Sequence, residues 1–291
     1  MKRILIIGIG AGNPDHLTLQ AVKAIASADV FFILDKGEAK HDLVQLRQDL
    51  VDAHARASYR LVEARDPDRD RTTPAYAGAV EDWRSRRADI YERLVRDELG
   101  DDETGAFLVW GDPSLYDSTL AIVEEVLDRG TVRFEYDVVP GISSVSALAA
   151  RHRTSLTQVA RPLHITTGRR LSEEGPGGSD DIVVMLDARH AFASLPDTAG
   201  FEIYWGAYLG TPDEILVAGP VAEVADRIRD VRTEARERKG WIMDTYLLRR
   251  IPGTESVKAP ASPASAKSPE SGASGAFPES AGSAESAGSP S

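Results

Sequence analysis

The 291-residue chain contains no cysteine. That excludes disulfides, a catalytic thiolate and any cysteine-ligated zinc or iron–sulfur centre. Long apolar runs are missing too. The apolar N-terminal stretch is far too short for a secretory core or a membrane span, and no other stretch qualifies. The six histidines (His16, His41, His54, His152, His164 and His190) are scattered without ligand spacing, so no metal site is expected. Nor is positive charge in excess. A formal net charge of -12 argues against nonspecific binding to nucleic acid or an anionic membrane. It leaves room for an anionic small substrate, because a local basic patch in a cleft can outweigh the global sign. These absences together predict a soluble, cytoplasmic protein.

What is present begins at once. Ile4-Leu5-Ile6-Ile7 is a short isoleucine-rich run, read as a strand buried on both faces. Gly8, Gly10 and Gly12 follow it, and glycines at a strand end permit a sharp turn and the close approach of a ligand. Pro14 stands where a helix can begin. A strand, a glycine loop and a helix are therefore expected, with ligands favouring the carboxyl end of such a strand. The dinucleotide pattern Gly-x-Gly-x-x-Gly is met in part, since Asn13 occupies its last position. An acid, Asp35, does end the next apolar run, Val30 to Leu34, where a ribose-binding carboxylate could sit.

At 42% hydrophobic residues, the chain can build one large or two medium domains. Strand-like and helix-like stretches alternate to about Arg153. Ala106 to Trp110 reads as a strand, followed by Gly111-Asp112-Pro113 and a helix with Leu120, Val123 and Leu127 on one face, stopped by Gly130. Phe134 to Val139 reads as another strand, followed by Pro140-Gly141-Ile142-Ser143-Ser144 and a small-residue helix. Residues 77–99 have a helical apolar face. Beyond the boundary near 153–161, Leu163 to Thr167, Ile182 to Leu186, Glu202 to Tyr208 and Trp241 to Leu248 read as strands. Residues between Arg169 and Ser179 read as a loop, and Val221 to Arg238 as one long helix. The pattern implies an α/β fold of two domains, 1–155 and 156–252, with a ligand cleft between them. The Ala/Ser/Pro/Gly-rich stretch 253–291 is expected to be a disordered tail.

Three ordered motifs carry a resemblance that spans about residues 4–250. Gly8-Ile-Gly10-Ala-Gly12-Asn-Pro-Asp-His-Leu-Thr18, Gly111-Asp-Pro-Ser-Leu-Tyr116 and Val139-Pro-Gly-Ile-Ser-Ser144 resemble the tetrapyrrole methylases, S-adenosylmethionine-dependent enzymes of cobalamin and sirohaem biosynthesis. Asp35-Lys36-Gly37 with Asp42-Leu43, the run Asp66 to Arg71, and Phe107 to Ser118 are similar to the branch of that family that methylates C-1 of precorrin-5 and releases acetate. The resemblance implies S-adenosylmethionine as cofactor, S-adenosylhomocysteine as product, no metal, an anionic tetrapyrrole substrate and a homodimer. It places the cofactor against Trp110, Gly111, Asp112 and Leu115, against Ser143 and Ser144, and against Met185, Leu186 and Ala207. Ala11, where many relatives carry Pro, would lie at the same ligand. It also implies that the first glycine loop, with Gly8 and Gly10, floors the tetrapyrrole trough.

The chemistry of these residue types agrees. A carboxylate such as Asp112 suits a cationic ligand, although an Asp there also caps the turn before a helix. Basic side chains suit a macrocycle bearing many carboxylates. Lys36, Lys40, Arg65, Arg69 and Arg71 are the candidates, whereas Arg84, Arg86 and Arg87 read as a solvated helix face. For a base that activates water for acetate release, Asp35 and Tyr116 are the candidates, because both sit at or just after strand ends facing the expected cleft. The bland reading of each, which weighs more, is a binding or structural residue. Four other readings are weighed. A family member acting on another precorrin, or on a diphthamide intermediate, differs in its product. An NAD-dependent oxidoreductase leaves Gly-Asp-Pro and Pro-Gly-Ile-Ser-Ser unexplained, and two glycine-lipped strand ends facing one cleft argue against a non-catalytic binding module. Serine hydrolase chemistry lacks the Gly-x-Ser-x-Gly elbow.

Overall fold

In the computed structural model, residues 1–35, 41–67, 76–195 and 198–253 are described, and all belong to one compact unit. Lys36, Lys40, Arg69, Arg71 and the stretch from 254 onward lie outside the described residues. The first of two sheets contains β1 (Arg3–Gly8), β2 (Val30–Asp35), β3 (Arg60–Arg65), β4 (Thr104–Val109) and β5 (Glu135–Val139), in the order β3-β2-β4-β1-β5. Every pairing in it is parallel. Side chains alternate along each strand, so the two faces feed separate cores. Ile4, Ile6, Phe32 and Phe107 face α3 (Tyr76–Arg93) and α4 (Thr119–Arg129). Leu5, Ile7, Phe31 and Leu108 face α1 (Leu19–Ser27) and α2 (His41–His54). Burial on both sides explains why β1 from Ile4 and β4 from Gly105 carry no polar side chain.

The first helix starts later than Pro14 suggests. Pro14–His16 is a single 3-10 turn, capped by Asn13 Oδ1 accepting from Asp15 N at 2.9 Å. The chain then extends through Thr18, whose Oγ1 accepts from Ala21 N at 3.0 Å and starts α1. On α4 the deepest residues are Ile122, Val123 and Val126, with Leu120 and Leu127 only partly buried. Gly130 ends that helix at φ +68°, as expected of a glycine stop. The edge strand β3 was not legible, because Arg60, Glu63 and Arg65 interrupt its apolar pattern.

The second sheet is mixed: β6 (Leu163–Thr167), β7 (Asp181–Met185), β8 (Phe201–Ala207), β9 (Ile215–Pro220) and β10 (Asp244–Arg250), ordered β6-β7-β10-β8-β9. β6 and β7 run parallel, and the other pairs antiparallel. β9 is an addition to the sequence reading, its end disguised by Gly219-Pro220. The stretch read as a loop after Arg169 opens instead with a short helix, α6 (Gly168–Glu174), because Thr167 Oγ1 caps it from Arg170 N at 3.4 Å. α5 (Ser144–His152) and α7 (Val221–Lys239) complete the fold. The sheets meet through one apolar cluster: Ala11 from the first glycine loop, Val145, Ala147 and Leu148 from α5, Val183 from β7, Leu209 and Leu247.

Candidate functional site

Parallel strands bring all their carboxyl ends to one edge, so Gly8, Asp35, Trp110 and Pro140 emerge side by side. The glycines there serve two different purposes. A Cβ on Gly8 would sit 2.6 Å from Gly141 N and 2.9 Å from Gly111 O, and one on Gly141 would overlap Gly111 O and Gly8. Gly10 and Gly111 exchange hydrogen bonds, at 3.2 Å and 2.8 Å, while Gly10 is crowded by His16. Gly12 is crowded by Thr211. Bareness at Gly8 and Gly141 is thus required by neighbouring backbone, and at Gly10 and Gly12 first by the side chains of His16 and Thr211, where the sequence suggested ligand access. Gly111 differs. At φ +71°, its missing Cβ would meet nothing nearer than Ser143 Cα and Ser144 N at 3.9 Å, leaving a backbone cradle that opens toward the start of α5.

Around this cradle the structure gathers most of the residues expected at the cofactor. Asp112 accepts from Ser114 N at 2.8 Å and from Ser114 Oγ, and its other oxygen accepts from Gly141 N at 2.9 Å. Burial pushes its carboxyl up, but the hydrogen bonds from Ser114 and Gly141 outweigh it and hold the group below the usual carboxylate range. Asp112 therefore stays negative while it staples the β4 loop to the β5 loop. Ser143 is the N-cap of α5, accepting from Ser146 N at 3.2 Å. Ser144 Oγ lies 3.3 Å from Thr245 Oγ1 on β10, and Thr245 is the register partner of Met185 and Gly206. Sequence reasoning missed Thr245, which sits in the middle of an apolar strand and carries no local signal. Leu115 and Met185 pack against the cluster that holds Ala11, and Ala207 is fully buried beside Gly206. Trp110 packs on the α1/α2 side of the first sheet.

Tyr116, after β4, and Leu186, after β7, adopt the left-handed backbone region that favours glycine, at φ +53° and φ +55°. Such residues cost about 1–3 kcal/mol each and persist where their surroundings force them. Leu186 is 65% exposed and Tyr116 46%, so both present apolar surface outward. Tyr116 reaches across to β6, its hydroxyl donating to Ile165 O at 3.4 Å. Leu186 is held from behind. Asp187 accepts from Arg189 N at 2.9 Å, Ala191 N at 2.7 Å and Tyr246 Oη at 2.7 Å, while its carbonyl accepts from Arg232 at 2.8 Å. Arg232 is ion-paired to Asp244 at 2.8 Å, and Trp205 Nε1 donates to the same carboxylate at 3.1 Å. Burial, followed by the Asp187 carboxylate, pushes the Tyr246 hydroxyl well above its usual range. These buried polar residues escaped sequence reading because they are separated by tens of residues and meet only in the fold.

On the far side of the edge, Asp35 ends β2 with its carbonyl accepting from Asp66 N at 2.8 Å. The arginines of α3 need a correction. Arg87 is 6% exposed, ion-paired to the buried Asp66 at 2.8 Å and donating to Ser118 Oγ at 2.9 Å. It also lies over the rings of Trp83 and Tyr91. Arg84 is half-buried, and Arg86 alone of the three fits the solvated face. The reading failed because a charge-rich helix conceals which of its charges turns inward. Among the described residues, no group of three or more histidines or acids could hold a metal ion, and no helix is long and apolar enough to cross a membrane.

Comparison with known proteins agrees with this geometry. The family model described as Tetrapyrrole (Corrin/Porphyrin) Methylases matches residues 3–225. A Sinorhizobium protein named precorrin-6A synthase [deacetylating] is 54% identical over 251 residues, covering 86% of this chain and 96% of that one. Among solved structures, a cobalamin-synthesis-related protein, CobF, from Corynebacterium diphtheriae shares 38% identity at a TM-score of 0.74, covering 86% of this chain and 99% of that one. A Thermus thermophilus uroporphyrin-III C-methyltransferase, solved with S-adenosylhomocysteine, shares the fold at 19% identity and a TM-score of 0.51, covering 85% of this chain and 97% of that one. This chain is a methyltransferase and belongs to the tetrapyrrole methylases.

Proposed function

We propose that this protein methylates C-1 of precorrin-5 with S-adenosylmethionine and releases acetate, giving precorrin-6A. The observation that carries the reading is the 54% identity, over nearly the whole length of both chains, to a relative named for that deacetylating reaction. The cradle at Gly111 supports the cofactor: among the described glycines at these strand ends it is the one whose Cβ would meet nothing nearer than 3.9 Å, with Ser143 and Ser144 opposite it and Asp112 next to it in the chain. When bound, S-adenosylmethionine supplies an electrophilic methyl group on a sulfonium. Gly111 and the two serines offer backbone and hydroxyl groups to its polar ends. Asp112 offers negative charge, and Leu115, Met185, Leu186 and Ala207 offer apolar walls. Ala11 stands at the cofactor, and Gly8 and Gly10 form the floor on the substrate side.

The protein's remaining task is water. Acetate release requires a water oxygen to bond to the acetyl carbon while the bond from that carbon to C-1 breaks, its electron pair staying on C-1. Asp35 at the end of β2 and Tyr116 after β4 are the groups assigned to take the water's proton. Lys36, Arg69 and Arg71, which follow β2 and β3 in the sequence, are assigned to the substrate's carboxylates. The two α/β halves, 1–155 and 156–252, would close on the ligands, as a cytoplasmic homodimer without metal.

The test has two stages. S-adenosylhomocysteine at a hundred times its dissociation constant should add about 2.7 kcal/mol of stability, roughly 5–10 °C in melting temperature, where NAD adds none. Precorrin-5 with labelled S-adenosylmethionine should then give one labelled methyl and one acetate per turnover. Methyl transfer without acetate would assign another precorrin, and a shift with NAD alone would overturn the reading.

A further inference from the structure

The first sheet is forked at its carboxyl edge. β2 pairs with β3 as far as Asp35↔Arg65, and β4 pairs with β1 as far as Val109↔Gly8. Between them, β2 and β4 pair only from Val30↔Gly105 to Phe32↔Phe107. The strands part there, and backbone groups on the inner sides of the fork lose their ladder partners. Val109 gives its carbonyl to Ile9 on the β1 side, so the carbonyl of Leu108, one residue earlier, points the other way into the fork. An unpaired carbonyl at that depth requires a donor. Arg47 of α2 supplies it, with Nε donating to Leu108 O at 3.0 Å.

Arg47 is an expensive residue for that task, since an amide would serve. Its second hydrogen bond, from Nη1 to Leu43 O at 2.8 Å, also goes to a carbonyl. Among the described residues, both of its acceptors are neutral. Burial pulls its guanidinium below the usual range, against Asp117, while Tyr91 and Arg87 also face it. Arg87 is already matched by Asp66 at 2.8 Å, with Ser118 and Tyr91 on its other nitrogens. Among the described residues, one of these two neighbouring cations therefore has a bonded counter-ion and the other does not. A half-buried guanidinium bonded only to carbonyls carries an uncompensated desolvation cost. A carboxylate entering the fork would relieve it, because a guanidinium can offer paired N–H donors to two oxygens.

We propose that Arg47 is a carboxylate subsite of the substrate cleft, holding one peripheral carboxylate of the macrocycle while its Nε stays on Leu108 O. The inference rests on the tetrapyrrole reading above and adds a residue to it. The fork lies on the same strand-end edge as Asp35 and Trp110, so a macrocycle over that edge presents its side arms there.

The test uses the full chain and two variants, Arg47→Gln and Arg47→Lys. Turnover of precorrin-5 by the unaltered protein is measured first, so that failure of the tetrapyrrole reading is seen separately. In Arg47→Gln, KM for precorrin-5 should rise about tenfold or more, while kcat and the Kd for S-adenosylhomocysteine stay within about twofold. Arg47→Lys should recover part of the loss, since it keeps the charge without the planar fork. Binding of uroporphyrin III, a stable octacarboxylate macrocycle, followed by fluorescence quenching, reads the same subsite without turnover. Its affinity should fall with added salt more steeply in the unaltered protein than in Arg47→Gln. Equal macrocycle affinity in all three proteins would overturn the proposal. So would a joint loss of melting temperature and S-adenosylhomocysteine binding in both variants, which would make Arg47 a structural prop.

Discussion

The two sheets are held in shape by opposite means. In the first, the interior is apolar on both faces, and precision comes from backbone contact: Gly8, Gly111 and Gly141 touch through atoms that no side chain could separate. Its charged pair, Asp66 and Arg87, lies toward the strand-end edge. In the second, the polar groups are in the core, where Arg232, Asp244, Asp187 and Tyr246 form a buried chain behind Leu186. The difference is physical. A parallel sheet aligns its strand ends, so loops alone can shape a site there. The mixed sheet has no such alignment at Leu186, and buried hydrogen bonds to the following Asp187 fix the strained turn instead.

Breaking the buried chain should have the largest effect. Arg232→Met leaves Asp244 without its partner in the core and should cost about 3–5 kcal/mol, read as the shift in urea midpoint. A cost below about 1 kcal/mol would mean that the network does not hold the second sheet. Gly8→Ala comes next. Its Cβ has no room against Gly141, and the expected loss is about 1–3 kcal/mol together with weakened S-adenosylhomocysteine binding. Intact binding would show that the cradle is independent of that packing.

Asp112→Asn separates the two roles of its residue. The staple between loops should weaken by about 1 kcal/mol or less, since the site is partly solvated. Affinity for S-adenosylmethionine should fall more than affinity for the neutral-sulfur product, because only the former carries the sulfonium charge. Parallel losses would leave Asp112 with the structural role alone.

The smallest effect concerns pH. Burial lowers the imidazoles of His16, His152 and His190 in the fold. Above the unfolded value of about 6.5 both states are neutral and nothing is lost. Below it the unfolded chain takes up protons that the fold resists, so stability falls as pH drops from about 6.5 toward the lowered values. Melting temperature should decline between pH 7 and 5.5, and less so in His152→Gln, which loses the contact of His152 with Trp205 O at 3.0 Å. An unchanged slope would remove His152 from the titration.

Much of this was legible before the fold was known, and the residues show why. β1 and β4 announce themselves because burial on both faces demands an unbroken apolar run, and Gly130 marks the end of α4 because a left-handed stop favours glycine. The site loops were legible as motifs, since each lies on contiguous residues. β3 and β9 were not, because edge strands tolerate charge, glycine and proline. Arg87 was misread because its neighbours Arg84 and Arg86 look the same in sequence.

The sequence by itself determined the class of fold and the family, because local patterning and contiguous motifs record both. Only the tertiary structure decided which glycine is a cradle and which are packing contacts, since that depends on what stands opposite a missing Cβ. It alone decided that Ser144 meets Thr245, that Leu186 is braced through Asp187, and that Arg47 fills a fork in the sheet. Each of those depends on groups distant in sequence meeting at one edge, where burial raises the cost of an unmatched charge or carbonyl.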